Sequence, residues 1–474
     1  MADAGVREPG TGMKIIILGA GQVGRTAAHH LAREAANEVT VVDVNDELLR
    51  DLQDRLDIRT LVGSGTQPSV LEAAGARDAD IFIALTNSDE VNMVACQISW
   101  SLFNKDATRI ARIRSADFTR HTKLFSNEDR AFAVDVPISP EQLVTEHVVH
   151  LIKYPGALQV LDFADGRIRL VGVKALQGGA LVGQQLKQLP THIEGRDARV
   201  AAIYRGGQSI KPEGETVIEH GDEVFFIAAR EDIRLVMNEM QKAEDPVRRV
   251  VIAGGGNIGF RLAQTLEVNH QVKLIERDPR RARRVSEQLS NTIVLSGDAA
   301  DEELLLEENI DSADVFVAVT NAEEANILSA MLAKRLGCHK VMALINRPAY
   351  AELMQSGSID IALSPQQVTI GSLLAHVRRG DVVRVHSLRR GAAEALEVIV
   401  HGVQGEGRVI GKRIENIPLP EGTTIAAIAR GDQVLIAHHD TMIQRDDHVI
   451  LFLTDRRHVE AVERLFDVPR RHAR

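Results

Sequence analysis

KIIILGAGQVG, residues Lys14 to Gly24, is answered 235 positions later by RVVIAGGGNIG, residues Arg249 to Gly259. In both stretches a continuous apolar run meets Gly-x-Gly-x-x-Gly: Gly19, Gly21 and Gly24 in the first, Gly254, Gly256 and Gly259 in the second. An apolar run without alternation predicts a strand buried on both faces, and the glycines predict a tight turn into a helix. The first glycine makes the turn, the second lets backbone approach a pyrophosphate, and the third lets the helix pack on the strand.

Outward from these turns the chain keeps repeating itself. VTVVD, ending at Asp43, matches VKLIE, ending at Glu276, and ADIFIALTNSDEVN (Ala79 to Asn92) matches ADVFVAVTNAEEAN (Ala313 to Asn326). Apolar runs alternate with longer amphipathic stretches in each copy, the pattern of parallel strands covered by crossover helices. The fold class is therefore α/β, with two tandem units that each begin in a Rossmann-like, doubly wound parallel sheet, at residues 13–135 and 247–361. Each sheet is followed by Ser-Pro and an amphipathic helix, in crossover segments 136–154 and 362–380. Ser139 and Ser364 can cap, Pro140 and Pro365 suit the first helical position, and Gln142 and Gln367 complete a capping box. The stripe Leu143, His147, Val148, Leu151 and Ile152 suits either an internal core or a subunit contact. Short β-rich segments with turns at Arg-Gly-Gly, His-Gly-Asp and Arg-Gly-Asp then predict small α+β domains at 155–242 and 381–474. Met1 to Gly12 reads as a flexible extension.

Composition narrows the function. Sixty-six acidic against 56 basic residues give a formal charge of -10, which argues against nucleic acid as a partner. The basic run RDPRRARR, Arg277 to Arg284, reads as a solvated helix face. No apolar run reaches the roughly 18 residues of a membrane span, so direct membrane insertion is not expected. Two cysteines, Cys96 and Cys338, offer no disulfide framework and suit a reducing, cytoplasmic compartment. No Cys/His spacing suggests a metal site.

Each Gly-rich turn is completed by an acid about twenty residues on, Asp43 and Glu276, placed to accept from ribose hydroxyls. Loops after the neighbouring strands should line the same crevice: Ser64, Thr86 and Asn87 in the first copy, Asp298, Thr320 and Asn321 in the second. Arg277 directly follows the second acid and suits a phosphate there. No acid–base pair stands where hydride chemistry would need it, and no phosphate-binding GxxxxGK[ST] is present, so a sensor is expected rather than an enzyme.

These segments, with RIARIR from Arg109, YPGALQV from Tyr154, GDEVFFIAA, SAMLAKR from Ser329 and DHVILFLTD, give the chain from Met13 to about Phe466 a close resemblance to the TrkA family of bacterial Trk potassium-uptake proteins. The resemblance implies two RCK units (regulator of potassium conductance), each a TrkA-N and a TrkA-C domain. It implies a homo-oligomeric ring, dimer or tetramer, peripheral on the inner face of the cell membrane beneath a TrkH- or TrkG-type pore subunit. NAD or NADH and ATP or ADP are the implied ligands. The first site would use the backbone at Gly19, Ala20, Gly21, Gln22 and Val23 beside Gly24, with Asp43 on the ribose, Thr86 and Asn87, and Arg112 on phosphate. The second would use Gly254, Gly255, Gly256, Asn257 and Ile258 beside Gly259, with Glu276 on the ribose; Leu344 stands where the first copy has Arg112. A nicotinamide-dependent oxidoreductase, or an RCK sensor of another cation pathway, remain the rival readings.

Overall fold

The computed structural model describes residues 12–33, 37–125, 131–193, 195–354, 357–378, 381–388, 393–402 and 409–466. Apart from Gly12, the expected N-terminal extension lies outside them, as do residues 467–474 of the second small domain. By compactness the chain forms two units, one of Met1–Leu143 with Val368–Leu373, the other of Val144–Gln367 with Leu374–Arg474.

The first unit is built on six parallel strands: β1 (Lys14–Leu18), β2 (Glu38–Asp43), β3 (Arg59–Val62), β4 (Ile81–Ala84), β5 (Thr108–Arg112) and β6 (Val136–Ile138). They lie in the order β3-β2-β1-β4-β5-β6, so the chain reverses its direction of travel between β1 and β4, where a crevice opens at the carboxyl ends. β6 falls inside the segment expected to be crossover and pairs with β5 through Ile110 to Arg112. The central strands are buried because both faces are covered: Ile15, Ile17, Phe82 and Ile83 are all within 1% of full burial. The helix Gln22–Ala32 contributes Val23, Gly24, Ala27, Ala28 and Leu31 as its inward face.

The second unit opens with an antiparallel sheet of β7 (Ala157–Phe163), β8 (Ile168–Lys174), β9 (Ala198–Arg205), β10 (Gln208–Ile210) and β11 (Glu223–Ala229), ordered β10-β9-β11-β8-β7. Six parallel strands follow: β12 (Arg249–Ala253), β13 (Gln271–Glu276), β14 (Ile293–Ser296), β15 (Val315–Ala318), β16 (Lys340–Leu344) and β17 (Ile361–Leu363). Their order, β14-β13-β12-β15-β16-β17, restates that of the first sheet. A last antiparallel sheet holds β18 (Val382–Leu388), β19 (Ala393–Ile399), β20 (Thr423–Arg430), β21 (Gln433–Ile436) and β22 (His448–Leu453), ordered β18-β19-β22-β20-β21.

Local chemistry accounts for the joints. Gly206 and Gly207 take φ of 55° and 87°, the doubly left-handed conformation that closes the two-residue β9–β10 hairpin with the twist its strands require. Ser139 Oγ accepts from Gln142 N at 3.3 Å and Ser364 Oγ from Gln367 N at 3.4 Å, capping the helices Pro140–Lys153 and Pro365–Val377. Val148, Leu151 and Ile152 of the expected stripe, with Val144, lie in the core shared with β7, β8 and β11, while Leu143 and His147 are half-buried.

The two antiparallel sheets pack against each other through Phe163, Leu170, Tyr204 and Phe225 on one side and Leu388, Ala427, Ile450 and Phe452 on the other, with the Phe225 and Phe452 rings 6.3 Å apart. Each sheet repeats a buried fork. Arg205 holds Asp222 through Nε and Nη2, both at 2.9 Å, and Arg430 holds Asp447 through the same atoms at 2.8 Å; Asp222 and Asp447 are fully buried. Burial raises both cysteine thiols, Cys338 to about 11, so neither is a reactive thiolate at neutral pH. Among the described residues no helix is long and apolar enough to cross a membrane.

Candidate functional site

Each parallel sheet carries a crevice where its central strands end. In the first, Gly19 turns at φ 104°, and a Cβ there would stand 3.0 Å from the Leu85 carbonyl and Thr86 N, so only glycine lets the turn lie against the end of β4. Gly24 is forced by packing, since its Cβ would reach 1.8 Å from Gly19 O. Gly21 differs: a Cβ there meets nothing within 4 Å. Gly21 is the N-cap of Gln22–Ala32 and supplies no side-chain cap, so the first N–H groups of that helix have no capping side chain from it. Gly254, Gly259 and Gly256 repeat these three roles, with φ 109° at Gly254, 1.8 Å from a Gly259 Cβ to Gly254 O, and open space at Gly256. Gln22 and Asn257 begin the two helices exposed, Val23 is buried and Ile258 half-buried.

The acids sit beside these turns. Asp43 Oδ2 accepts from Ala20 N at 2.5 Å and Oδ1 from Asn45 N at 2.8 Å. Glu276 repeats the brace one methylene longer, Oε2 accepting from Gly255 N and Oε1 from Asp278 N, both at 2.8 Å. The extra length is accommodated because position 255 lacks a side chain: a Cβ there would stand 3.2 Å from Glu276 Oε2. Asp with Ala in one copy and Glu with Gly in the other are matched pairs.

The remaining residues line up unequally. Ser64 Oγ lies 2.9 Å from Thr66 Oγ1 in the loop whose Gly63 N bonds Asp43 O at 2.9 Å, and Asp298 occupies the corresponding loop, its Oδ1 accepting from Ala300 N at 2.9 Å. Thr86 and Thr320 close their strands with hydroxyls donating to Asn92 Oδ1 at 2.7 Å and Asn326 Oδ1 at 2.6 Å. Asn87 and Asn321 are exposed at the lip. Arg112 ends β5 and its Nη2 stands 2.9 Å from Glu141 Oε1, so a phosphate reaching Arg112 must share it with that carboxylate. The equivalent Leu344 is buried and uncharged.

Two fully buried asparagines were passed over by sequence reasoning. Asn92 also donates from Nδ2 to Arg112 O at 2.9 Å, and Asn326 to Leu344 O at 3.0 Å, each tying two strand ends together at the crevice floor. Asp89 accepts from the N–H groups of Arg114 and Ser115, and Glu323 from those of Asn346 and Arg347. Arg114 also donates to Asn87 O, putting a second cation at the lip of the first crevice. The available signal was repetition: Asn92 and Asn326 end the two matched segments.

Two Rossmann-type sheets, each with an uncapped helix N-terminus over an acid-braced Gly-rich turn and each accompanied by a small antiparallel sheet, define a tandem protein of the RCK class. The TrkA-N domain model matches residues 15–133 and 250–365, and the TrkA-C domain model residues 170–241 and 403–467. The chain is 58% identical to the Trk system potassium uptake protein TrkA of Halomonas elongata over 96% of its length and 99% of that protein's. Against the protein of the same name from Vibrio alginolyticus it is 55% identical, covering 96% and 98%. In fold it resembles the crystal structure of the GsuK RCK domain, with a TM-score of 0.60 at 19% identity over 97% of this chain and 96% of that one. The GsuK channel bound to NAD aligns with the same TM-score at 18% identity, over 97% and 80%. The chain belongs to the TrkA family of Trk system potassium uptake proteins, a family of transport proteins and not of enzymes.

Proposed function

We propose that the chain is the nucleotide-sensing regulatory subunit of a Trk-type potassium-uptake system, resting on the inner face of the cell membrane and gating a TrkH- or TrkG-type pore. The observation that carries this reading is the pair of open positions at Gly21 and Gly256: glycines required by no packing, each at an uncapped helix N-terminus, where a pyrophosphate finds N–H donors and a partial positive charge. NAD or NADH, and ATP or ADP, are the ligands that such a crevice suits, with the adenosine ribose toward Asp43 or Glu276 and phosphates over the turn. In the first crevice Thr86, Asn87 and Arg112 extend the contact beyond the phosphates, and Ser64 flanks the ribose side; Asp298, Thr320 and Asn321 do so in the second.

A ligand shifts such a protein only through its different affinity for two arrangements, and a coupling of roughly 1–3 kcal/mol changes pore activity about 5- to 150-fold. Arg112 offers a physical route, because Glu141 opens the helix Pro140–Lys153 and a phosphate drawn to Arg112 competes with it. The RCK fold supports a homo-oligomeric ring, dimer or tetramer, as the element that passes this change to the pore. Calorimetric titration with NADH and with ATP, wild type beside Asp43→Ala and Glu276→Ala, tests the reading. Saturable binding lost separately in the two variants is expected, and wild-type protein that binds neither nucleotide would sink it.

A further inference from the structure

The two crevices share a backbone and differ in where their charge lies. In the first, the residue after the acid is Val44, 72% exposed, and the helix that follows, Asp46–Gln53, carries Asp46, Glu47 and Asp51 against Arg50. In the second, the corresponding residue is Arg277, exposed, and the helix Pro279–Gln288 carries Arg280, Arg281, Arg283 and Arg284 against Glu287. The far end is reversed, with Arg112 in the first copy and Leu344 in the second. The second crevice lacks the cation that ends β5 in the first, since β16 ends in Leu344, and has gained cations beside the acid on β13.

The acid itself is withdrawn. Glu276 is only 6% exposed, each of its oxygens accepts a main-chain N–H, and Arg281 Nη1 stands 3.6 Å from Oε2. Asp43 makes the equivalent brace but stays half-exposed, with hydrophobic Val44 next to it. A carboxylate open at this position favours a free ribose 2′-hydroxyl, whereas a guanidinium here recognises a phosphate ester on that hydroxyl through charge-assisted, bidentate hydrogen bonds. The whole basic run is not needed: Arg283 is engaged with Glu287 at 3.2 Å and its side chain is 85% exposed, as a solvated helix face should be.

Resting on the nucleotide-sensing reading above, we infer that the second crevice takes an adenine dinucleotide phosphorylated on its adenosine ribose, of the NADPH type, through Arg277 and Arg281, while the first takes the unphosphorylated ribose. The two halves of the chain then report on different pools, one of them anabolic reducing power.

Full-length wild type and the double variant Arg277→Val with Arg281→Leu, which installs the residues of the first copy, are titrated calorimetrically with NADPH and with NADH. Both substitutions lie on exposed side chains, and an unchanged thermal melt confirms the fold. Wild type should bind NADPH at one site per chain at least about tenfold more tightly than that site binds NADH, and the double variant should lose about tenfold or more for NADPH with NADH binding unchanged. The single charge reversal Arg277→Glu should act in the same direction. Binding of NADH without NADPH, NADPH binding that survives the double substitution, or equal losses for both ligands each overturn the proposal and leave the nucleotide-sensing reading standing. Wild type that binds neither ligand overturns that reading as well.

Discussion

Gly21 and Gly24 are three positions apart and answer to different masters. A Cβ at Gly24 would press on Gly19 O at 1.8 Å, backbone against backbone, so Gly24→Ala must push the helix off its strand and cost about 3 kcal/mol or more. Gly21 sits in open space with extended backbone at φ -66° and ψ -173°, which alanine adopts freely, so Gly21→Ala should cost at most about 1 kcal/mol of cap preference while its methyl stands in the ligand's path. Thermal melts paired with nucleotide titration separate the two: stability falls in the first variant, affinity alone in the second. The Arg430–Asp447 fork is the other residue-scale liability. Arg430→Ala leaves the fully buried Asp447 deprived of both guanidinium bonds, and chemical denaturation should register a loss of about 3–5 kcal/mol. A loss below about 1 kcal/mol would mean that the carboxylate finds water or another donor.

Among the elements, the helix Pro365–Val377 shows how a sequence signal becomes a structural one. Ser364 accepts from Gln367 N at 3.4 Å and Pro365 needs no donor at the first turn, so the start of this helix is set locally. Ser364→Ala should destabilise by about 1 kcal/mol, and Ser364→Asp should restore most of it, read by thermal melting. If Ser364→Ala melted like wild type, the helix start would owe its stability to tertiary packing alone. The small sheets are the opposite case. Their hairpin turns were plain from Arg-Gly-Gly and Arg-Gly-Asp, yet the strand order β10-β9-β11-β8-β7 places β11 between strands that precede it, an arrangement made by long-range pairing of Glu223–Ala229 with β8 and β9.

At the scale of the molecule, three histidines of the second unit act on one another, two of them beside Asp162. His150 Nε2 lies 3.5 Å from Asp162 Oδ2, and His386 Nε2 lies 3.4 Å from Asp162 O, with its ring edge-on to Phe163 at 5.0 Å. Burial pushes His147 and His386 down to about 4, helped at His147 by the other two imidazoles and at His386 by Arg384; Asp162 pulls His386 the other way. His150 is lowered too, mainly by burial, with Arg169 and Lys153 adding to it and Asp162 and Glu146 opposing. Between a folded value near 4 and an unfolded value near 6.5 the unfolded chain binds the extra protons. Stability is thus fully present above pH 6.5 and drains away as pH falls toward 4, by at most about 3 kcal/mol for each deeply shifted imidazole and less for the part of each residue still in solvent. Denaturation curves at pH 7, 6 and 5 should show this loss, and His386→Phe should flatten it. An unchanged slope in that variant would assign the acid sensitivity elsewhere.

Much of this was legible without coordinates, for a physical reason. The doubled Gly-rich turn, the acid after the second strand, the Ser-Pro caps and the glycine hairpins are local: each depends on the conformational limits of a few neighbouring residues, and each was written twice. Periodicity alone therefore determined the tandem α/β architecture and pointed to the crevice residues Asp43 and Glu276. Contacts between distant segments were not so written. The sixth strands at Val136–Ile138 and Ile361–Leu363 are too short to announce themselves beside the helices they precede. Asn92 and Asn326 look like ordinary helix residues until folding carries the ends of β5 and β16 to their amides. The family resemblance puts Arg112 on phosphate, and only the structure brings Glu141 to it from 29 residues away. The tertiary structure also drew Glu276 beneath the Gly-rich turn and left Arg277 outside, because a carboxylate's reach depends on whether the facing residue has a Cβ, and that is decided in space and not along the chain.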